Sequence, residues 1–187
     1  MARWDPGAPE RLRKAALDLF DEHGYDAVTV TQIAERAGLT RRTFHRYFPD
    51  KREILFAGSE RLPRAVAEAV IATDPACGPL RAALSGLREV GSQVTAMVAD
   101  SGRRRAIIES SAELKERERS KSAAVTAALQ DALEQRGIEP TEAHLAARVA
   151  SIVSDEAFGR WTDGEGPFPR CFDAAEAALN AVLARDI

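Results

Sequence analysis

The chain has none of the usual signatures of catalysis or metal binding. Its three histidines, His23, His45 and His144, form no H-x-x-x-H or H-E-x-x-H pair, so no helix turn offers two imidazoles to one metal ion. There is no G-x-x-x-x-G-K loop and no G-x-G-x-x-G turn. Neither cysteine lies in a nucleophile setting. The expectation is a protein that is not an enzyme and needs no cofactor or metal. Cysteine is scarce: Cys77 and Cys171 are far apart and match no metal spacing, which points to two reduced thiols in a cytoplasmic chain, with a redox switch as the alternative. Long apolar runs are missing too. No stretch approaches the ~18 residues of a membrane span, and the opening MARWDPGAPE has no apolar signal core, so a soluble, cytoplasmic protein without a membrane partner is expected. An excess of positive charge is also absent. With 26 Lys and Arg against 29 Asp and Glu, the net charge is −3, which excludes indiscriminate coating of nucleic acid.

The content of the chain is concentrated between Thr29 and Glu53, TVTQIAERAGLTRRTFHRYFPDKRE. Thr29 and Gln32 make a T-x-x-Q capping box that starts a helix at Val30. Ile33, Ala34 and Ala37 share one face, and Gly38 supplies the positive φ of a sharp turn. Leu39 can plug the angle between helices. Thr40 is a second N-cap, opening a helix that Pro49 stops, and Asp50 with Glu53 forms a D-x-x-E box from which a longer helix should run from Lys51 onward.

At about 100° per residue, Phe44 and Phe48 point to one side of the middle helix and Arg42 and Arg46 to the other, with Thr43 and His45 flanking the arginines. From Arg36 to Arg52 there are six Lys or Arg and one acid, Asp50. A helix that buries phenylalanines behind it and projects arginines ahead fits the DNA major groove, where Arg reads guanine O6 and N7. Thr31, Thr40 and Lys51 sit where hydroxyls and amines meet phosphates. Taken alone, an arginine cluster is more often a solvated face, Tyr47 can simply cap the small core, and His45 is an ordinary exposed histidine. The turn geometry and double capping weigh the other way.

Pro9 to Phe56, about a quarter of the chain, resembles the DNA-binding domain of the TetR family of bacterial transcription regulators. The matching text is ERLRKAALDLFDEHG, then TVTQIAERAGLT, then RRTFHRYFPDKREILF. The resemblance implies an all-α homodimer whose N-terminal domains bind a palindromic DNA operator and whose C-terminal domains dimerise and bind a small-molecule effector. It places Thr31, Thr40, Tyr47 and Lys51 at phosphate-contacting positions, and Arg41, Arg42, Thr43 and Arg46 at positions that touch bases or backbone. His45 stands where relatives often carry Tyr or Phe, and Arg52 is basic where many are acidic.

The remaining pattern is helical throughout, about nine helices in all. Pro9 suits the first helical turn, Leu12, Ala16, Leu19 and Phe20 recur on one face, and Gly24 stops that helix. Tyr25 and Val28 can close a three-helix core, which is too small to be stable without support from the rest of the chain. The expected division is a DNA-binding domain at 1–50 and a ligand-binding and dimerisation domain at 51–187, joined by a helix over 51–70 that carries Ile54, Leu55, Leu62, Val66 and Val70 and bends at Pro63. After a loop from Thr73 to Pro79, helices are expected from Leu80 to about Asp100, where Ser101 and Gly102 break the pattern, from Arg103 to Ser110, from about Ala112 to Gln135, from Pro140 to about Thr162 and from about Arg170 to Ala184.

Leu145, Val149, Ile152 and Glu156 form one stripe, and Ala174, Ala178 and Ala181, beside Leu179, Val182 and Leu183, give the last helix a smooth face. These two helices are the expected dimer seam, the alternative being intrachain core. A pocket can be lined by Leu87, Val94, Met97, Ile108, Val125, Leu129, Val153 and Trp161, although such spacing is more often plain core; Phe158 and Trp161 fit the dimer seam equally well. The segment ELKERERSKSAAVTAALQDALEQRGIEP resembles C-terminal domains of TetR relatives that take acyl-CoA-like or other lipophilic ligands. The resemblance makes a repressor released by an effector the leading function. The rival is a helical protein-interaction module that keeps the helix-turn-helix as scaffold, and it predicts no salt-dependent DNA affinity.

Overall fold

A computed structural model describes residues 7–97 and 100–185. Its described residues form ten α-helices and one 3-10 turn, with no strand, so the all-α expectation holds with one helix more than anticipated. Helix α1 (Ala8–His23) carries Pro9 in its first turn and buries Leu12, Ala16, Leu19 and Phe20. Both halves of the Thr29–Gln32 capping box start α2 (Val30–Arg36). Gly38 takes φ 68°, and the Leu39 amide donates to Ala34 O at 2.8 Å, which closes the turn into α3 (Arg41–Tyr47). There Thr40 Oγ1 accepts from the Thr43 amide.

The long helix expected from Lys51 is broken. Helix α4 (Glu53–Phe56) lasts one turn, Ala57 is extended (φ −57°, ψ 131°), Gly58 turns to φ 89°, and a 3-10 turn at Ser59–Arg61 leads into α5 (Leu62–Ile71). Pro63 lies in the first turn of α5. A proline lacks the amide that an interior turn needs but suits a helix start, so it begins a new helix instead of bending an old one.

Helix α6 (Pro79–Met97) follows; its expected extension through Val98 lies outside the described residues. Ser101 and Gly102 open α7 (Ser101–Ser110), and the break falls one residue earlier at Asp100, with φ 57°. Helices α8 (Ala112–Gln135), α9 (Pro140–Thr162) and α10 (Phe168–Leu183) complete the chain. The last starts ahead of Arg170 because Pro169 occupies its first turn.

The chain forms two compact units. The first comprises Met1–Ser59 and Arg103–Glu118. Leu12, Phe20, Val28, Ile33, Phe44 and Phe56 fill its core, and Ile107, Ile108 and Leu114 complete it. The support that a three-helix core needs is thus supplied by α7 and the start of α8, an insertion from later in the sequence. Ile108 is therefore core of this unit and does not line a pocket in the C-terminal bundle. Its side chain faces α1–α4, a long-range pairing that helical spacing cannot reveal.

The second unit comprises Glu60–Gly102 and Arg119–Ile187. Within it α5 and α9 pack on α6, and α10 on α9. Its core gathers Val70, Leu87, Leu129, Leu133, Ala147 and Phe172. A ring seats directly on bare backbone in α6: a β-carbon at Gly91 would run into the Phe168 ring. Arg136 holds the α5–α6 loop, donating to the carbonyls of Val70, Thr73, Asp74 and Cys77 and to the Thr73 hydroxyl at 2.7–3.3 Å. Cys77 and Cys171 are free thiols, and burial pushes the Cys171 thiol up. Among the described residues, no helix is long and apolar enough to cross a membrane, and no group of His, Cys, Asp or Glu is placed to hold a metal ion.

Candidate nucleic-acid interface

The outward face of α3 is built from its buried one. Phe44 and Phe48 are 0% and 3% exposed and pack against each other as tilted rings, with centroids 5.6 Å apart and planes at 53°. Fixing two aromatic anchors one turn apart fixes the rotation of the helix, and Arg41, Arg42, His45 and Arg46 are left exposed. Thr31 and Thr40 are exposed as well, and Thr43 and Tyr47 are half-buried.

The six basic side chains separate into two groups. Arg36 is tied to Glu22 by two hydrogen bonds of 2.9 and 2.8 Å, and Arg52 pairs with Asp50 at 3.2 Å and Glu113 at 3.3 Å. Lys51, expected at a phosphate, instead donates from Nζ to the carbonyls of Tyr25 (2.7 Å), Val28 (3.0 Å) and Asp26 (3.3 Å) and lies 4.2 Å from the Tyr25 ring centroid. An ammonium has three protons, so this set engages its donors and makes Lys51 the clasp of the α1–α2 loop. Burial pushes the Tyr25 phenol up to about 12.

Arg41 and Arg42 form no ion pair among the described residues. Arg46 lies over the Tyr47 ring at 4.8 Å and donates to its hydroxyl at 3.1 Å, an arrangement that pre-orients the guanidinium. His45 Nδ1 sits 3.2 Å from Pro49 O.

Sequence reasoning missed the charged layer under α4. The Phe56 ring is flanked by the guanidiniums of Arg104 and Arg117, each 5.3 Å from its centroid. Arg104 Nε donates to Leu55 O at 2.6 Å, and Arg117 grips Glu53 through two bonds of 2.8 and 3.2 Å. Loss of water around Arg104 lowers its pKa, while the Glu53 hydrogen bonds raise that of Arg117. Glu53 thus spends its carboxylate on Arg117 and not on the Asp50 amide, so only half of the anticipated box forms, with the Glu53 amide donating to Asp50 Oδ1 at 2.9 Å.

In the second unit, Leu87, Leu129 and Val153 are buried in the core, and Val94, Val125 and Trp161 are half-buried against it. The Met97 side chain lies outside the described residues. Leu145, Ile152 and Val182 are 59%, 67% and 59% exposed, beside exposed Ala174, Ala178 and Ala181 and half-buried Val149. Leu145, Ile152 and Val182 are thus outside the core of this unit, whereas Leu179 packs against it. A shallow groove of about 440 Å³ between the starts of α6 and α9 is lined by Pro79, Leu80, Leu145, Ala146 and Val149, with Glu139, Thr141 and Glu142 at its edge.

Two short helices at a glycine turn, the second anchored by phenylalanines and armed with arginines, define a helix-turn-helix domain of the DNA-binding class. Residues 12–57 match the family of bacterial regulatory proteins called the tetR family. The likeness to that family in sequence is thus one of this N-terminal domain, about a quarter of the chain. The HTH-type transcriptional repressor LfrR of Mycolicibacterium smegmatis is 35% identical over 92 residues, 48% of each chain. The chain thus matches about half the length of that curated relative. Among solved structures, SmeT of Stenotrophomonas maltophilia in complex with triclosan superposes with a TM-score of 0.59 at 22% identity, covering 92% of this chain and 91% of SmeT. A transcriptional regulator of Aquifex aeolicus VF5 gives 0.58 at 19% identity, over 94% and 99%. These likenesses show a shared all-α fold over more than nine-tenths of the chain.

Proposed function

We propose that the chain is a sequence-specific DNA-binding transcriptional regulator that acts as a homodimer on a palindromic operator and represses by covering it. The observation that carries this reading is the outer face of α3, where Arg41, Arg42 and Arg46 stand exposed while Phe44 and Phe48 are buried behind them. Arg42 and Arg46 are the base readers. Thr31, Thr40, Thr43 and Tyr47 position the backbone, and Arg41 serves either role. Lys51 is left out of this set because its donors are engaged inside the fold.

One short helix reads only a few base pairs, so two copies about one DNA turn or somewhat more apart are needed for useful affinity and specificity. The exposed apolar stripe of α9 and α10 supplies the seam that pairs them. The second unit is the dimerisation and effector domain. A small lipophilic effector enters beside the half-buried Val94, Val125 and Trp161, consistent with the lipophile named in the SmeT complex, and the LfrR name supports repression. Differential affinity of a few kcal/mol between the two states suffices to release DNA. A DNA partner places the protein in the cytoplasm.

The test is selection of genomic fragments by the purified protein at two salt concentrations. Enrichment of one palindrome, with affinity falling steeply as salt rises, is the expected result. No enrichment, with and without extraction of bound small molecules, overturns the reading in favour of a protein-interaction module.

A further inference from the structure

We infer that His45 makes DNA recognition proton-linked: its ring, oriented by the Pro49 carbonyl, presents Nε2 to an acceptor atom of the DNA and binds it as the imidazolium. The inference rests on the DNA reading of α3 and deepens it with a specific chemistry for one position.

Two contacts hold the His45 ring. Nδ1 lies 3.2 Å from Pro49 O. A carbonyl oxygen can only accept, so Nδ1 must carry a proton whether the ring is neutral or charged. The Phe44 ring meets the imidazole edge-on, with centroids 5.5 Å apart at 80°, and restricts its rotation. With Nδ1 committed, the outer nitrogen Nε2 has one character in each charge state. It is an acceptor in the neutral ring and a donor in the imidazolium.

DNA reads these two states differently. Phosphate oxygens only accept, and guanine offers two acceptors, O6 and N7, in the major groove. A neutral His45 would bring a lone pair against them, whereas the imidazolium donates and adds a charge-assisted bond. Binding therefore takes up a proton at each half-site, and by linkage the affinity rises as pH falls through the range in which histidine ionises.

The charged groups around His45 do not compete in this window. Arg41, Arg42 and Arg46 lie on the same helix, and Arg13 of α1 lies over the Phe48 ring at 5.7 Å. In the following turn, Asp50 is paired with Arg52 and Lys51 with loop carbonyls. Side chains of these types ordinarily keep their charge between about pH 6 and pH 8. The other histidines are His23, whose Nε2 is 3.5 Å from Glu22 on α1, and His144, whose Nδ1 is 3.1 Å from Gln130 Oε1.

The experiment titrates the selected operator with wild-type protein and the His45→Gln, His45→Phe and His23→Gln variants at fixed ionic strength from pH 8 to pH 6. The expected result is that wild type and His23→Gln tighten by about tenfold, whereas both His45 variants stay flat. If guanine is the acceptor, replacing one base pair in each half-site abolishes the dependence; if phosphate is, every sequence shows it. Either pattern supports the inference. A wild-type affinity independent of pH, or His45 variants that keep the dependence, overturns it while leaving the regulator reading intact. Absence of any salt-sensitive DNA binding overturns that reading and this inference together.

Discussion

At Lys51, a position the sequence pattern directs to a phosphate, the side chain turns inward and takes three loop carbonyls. The pattern is blind to this because Tyr25, Asp26 and Val28 are more than twenty residues away, and their carbonyls have no residue-specific signature. The consequence is measurable. Lys51→Ala leaves three loop carbonyls without their donor and removes a cation from the Tyr25 ring, and should lower stability by about 1–3 kcal/mol. Thermal unfolding would show a drop of several degrees, with the salt dependence of DNA binding unchanged in the surviving folded protein. An unchanged melting temperature with a flatter salt dependence would return Lys51 to the phosphate. The neighbouring residues were more legible: Phe44, Phe48, Arg42 and Arg46 fall on the faces that 3.6-residue periodicity assigns them.

Among elements, local signals succeeded where both partners lay within one turn. The Thr29 box, the Thr40 cap and the Gly38 turn all form as read, because each needs only residues three or four apart. The break after α4 is also written locally, in Gly58 and Pro63, but the apolar spacing of Leu55, Leu62 and Val66 continues through it and masks it. What no local reading could find is the layer of Arg104 and Arg117 around Phe56, which joins residues about fifty to sixty-five apart.

That layer fixes α4, the element directly after α3, to α7 and the start of α8. Glu53→Gln and Arg117→Met should each destabilise the protein by about 1–3 kcal/mol. The double variant should cost less than the sum of the two, since either change already breaks the pair. Urea midpoints for the four proteins measure this cycle, and strict additivity would show that the two side chains do not support each other.

The molecule as a whole leaves an apolar stripe in water. Leu145, Ile152, Val182 and Leu183 are each about half exposed or more, an arrangement that a lone monomer has no use for. If two copies cover it, Ile152→Glu places a carboxylate on each side of the seam and should yield a monomer on a sizing column, with much weaker operator binding because each half-site must then be held alone. A variant that still elutes as a dimer would put the seam elsewhere. The all-α architecture was visible in the sequence because capping and periodicity report helices well. The assignment of 103–118 to the first unit was not, since it depends on Ile107, Ile108 and Leu114 meeting a core built about fifty to a hundred residues earlier.

If the arginines on α3 carry the DNA contact, operator affinity against salt concentration for wild type and for Arg41→Ala, Arg42→Ala and Arg46→Ala shows it. Wild-type affinity should fall linearly on logarithmic axes. A base-reading arginine, Arg42 foremost, should lose about 1–3 kcal/mol on the cognate site and relax the preference at one base pair, and a phosphate-binding one should reduce the slope by about one for every sequence. Three variants with wild-type affinity, base preference and slope would contradict the account.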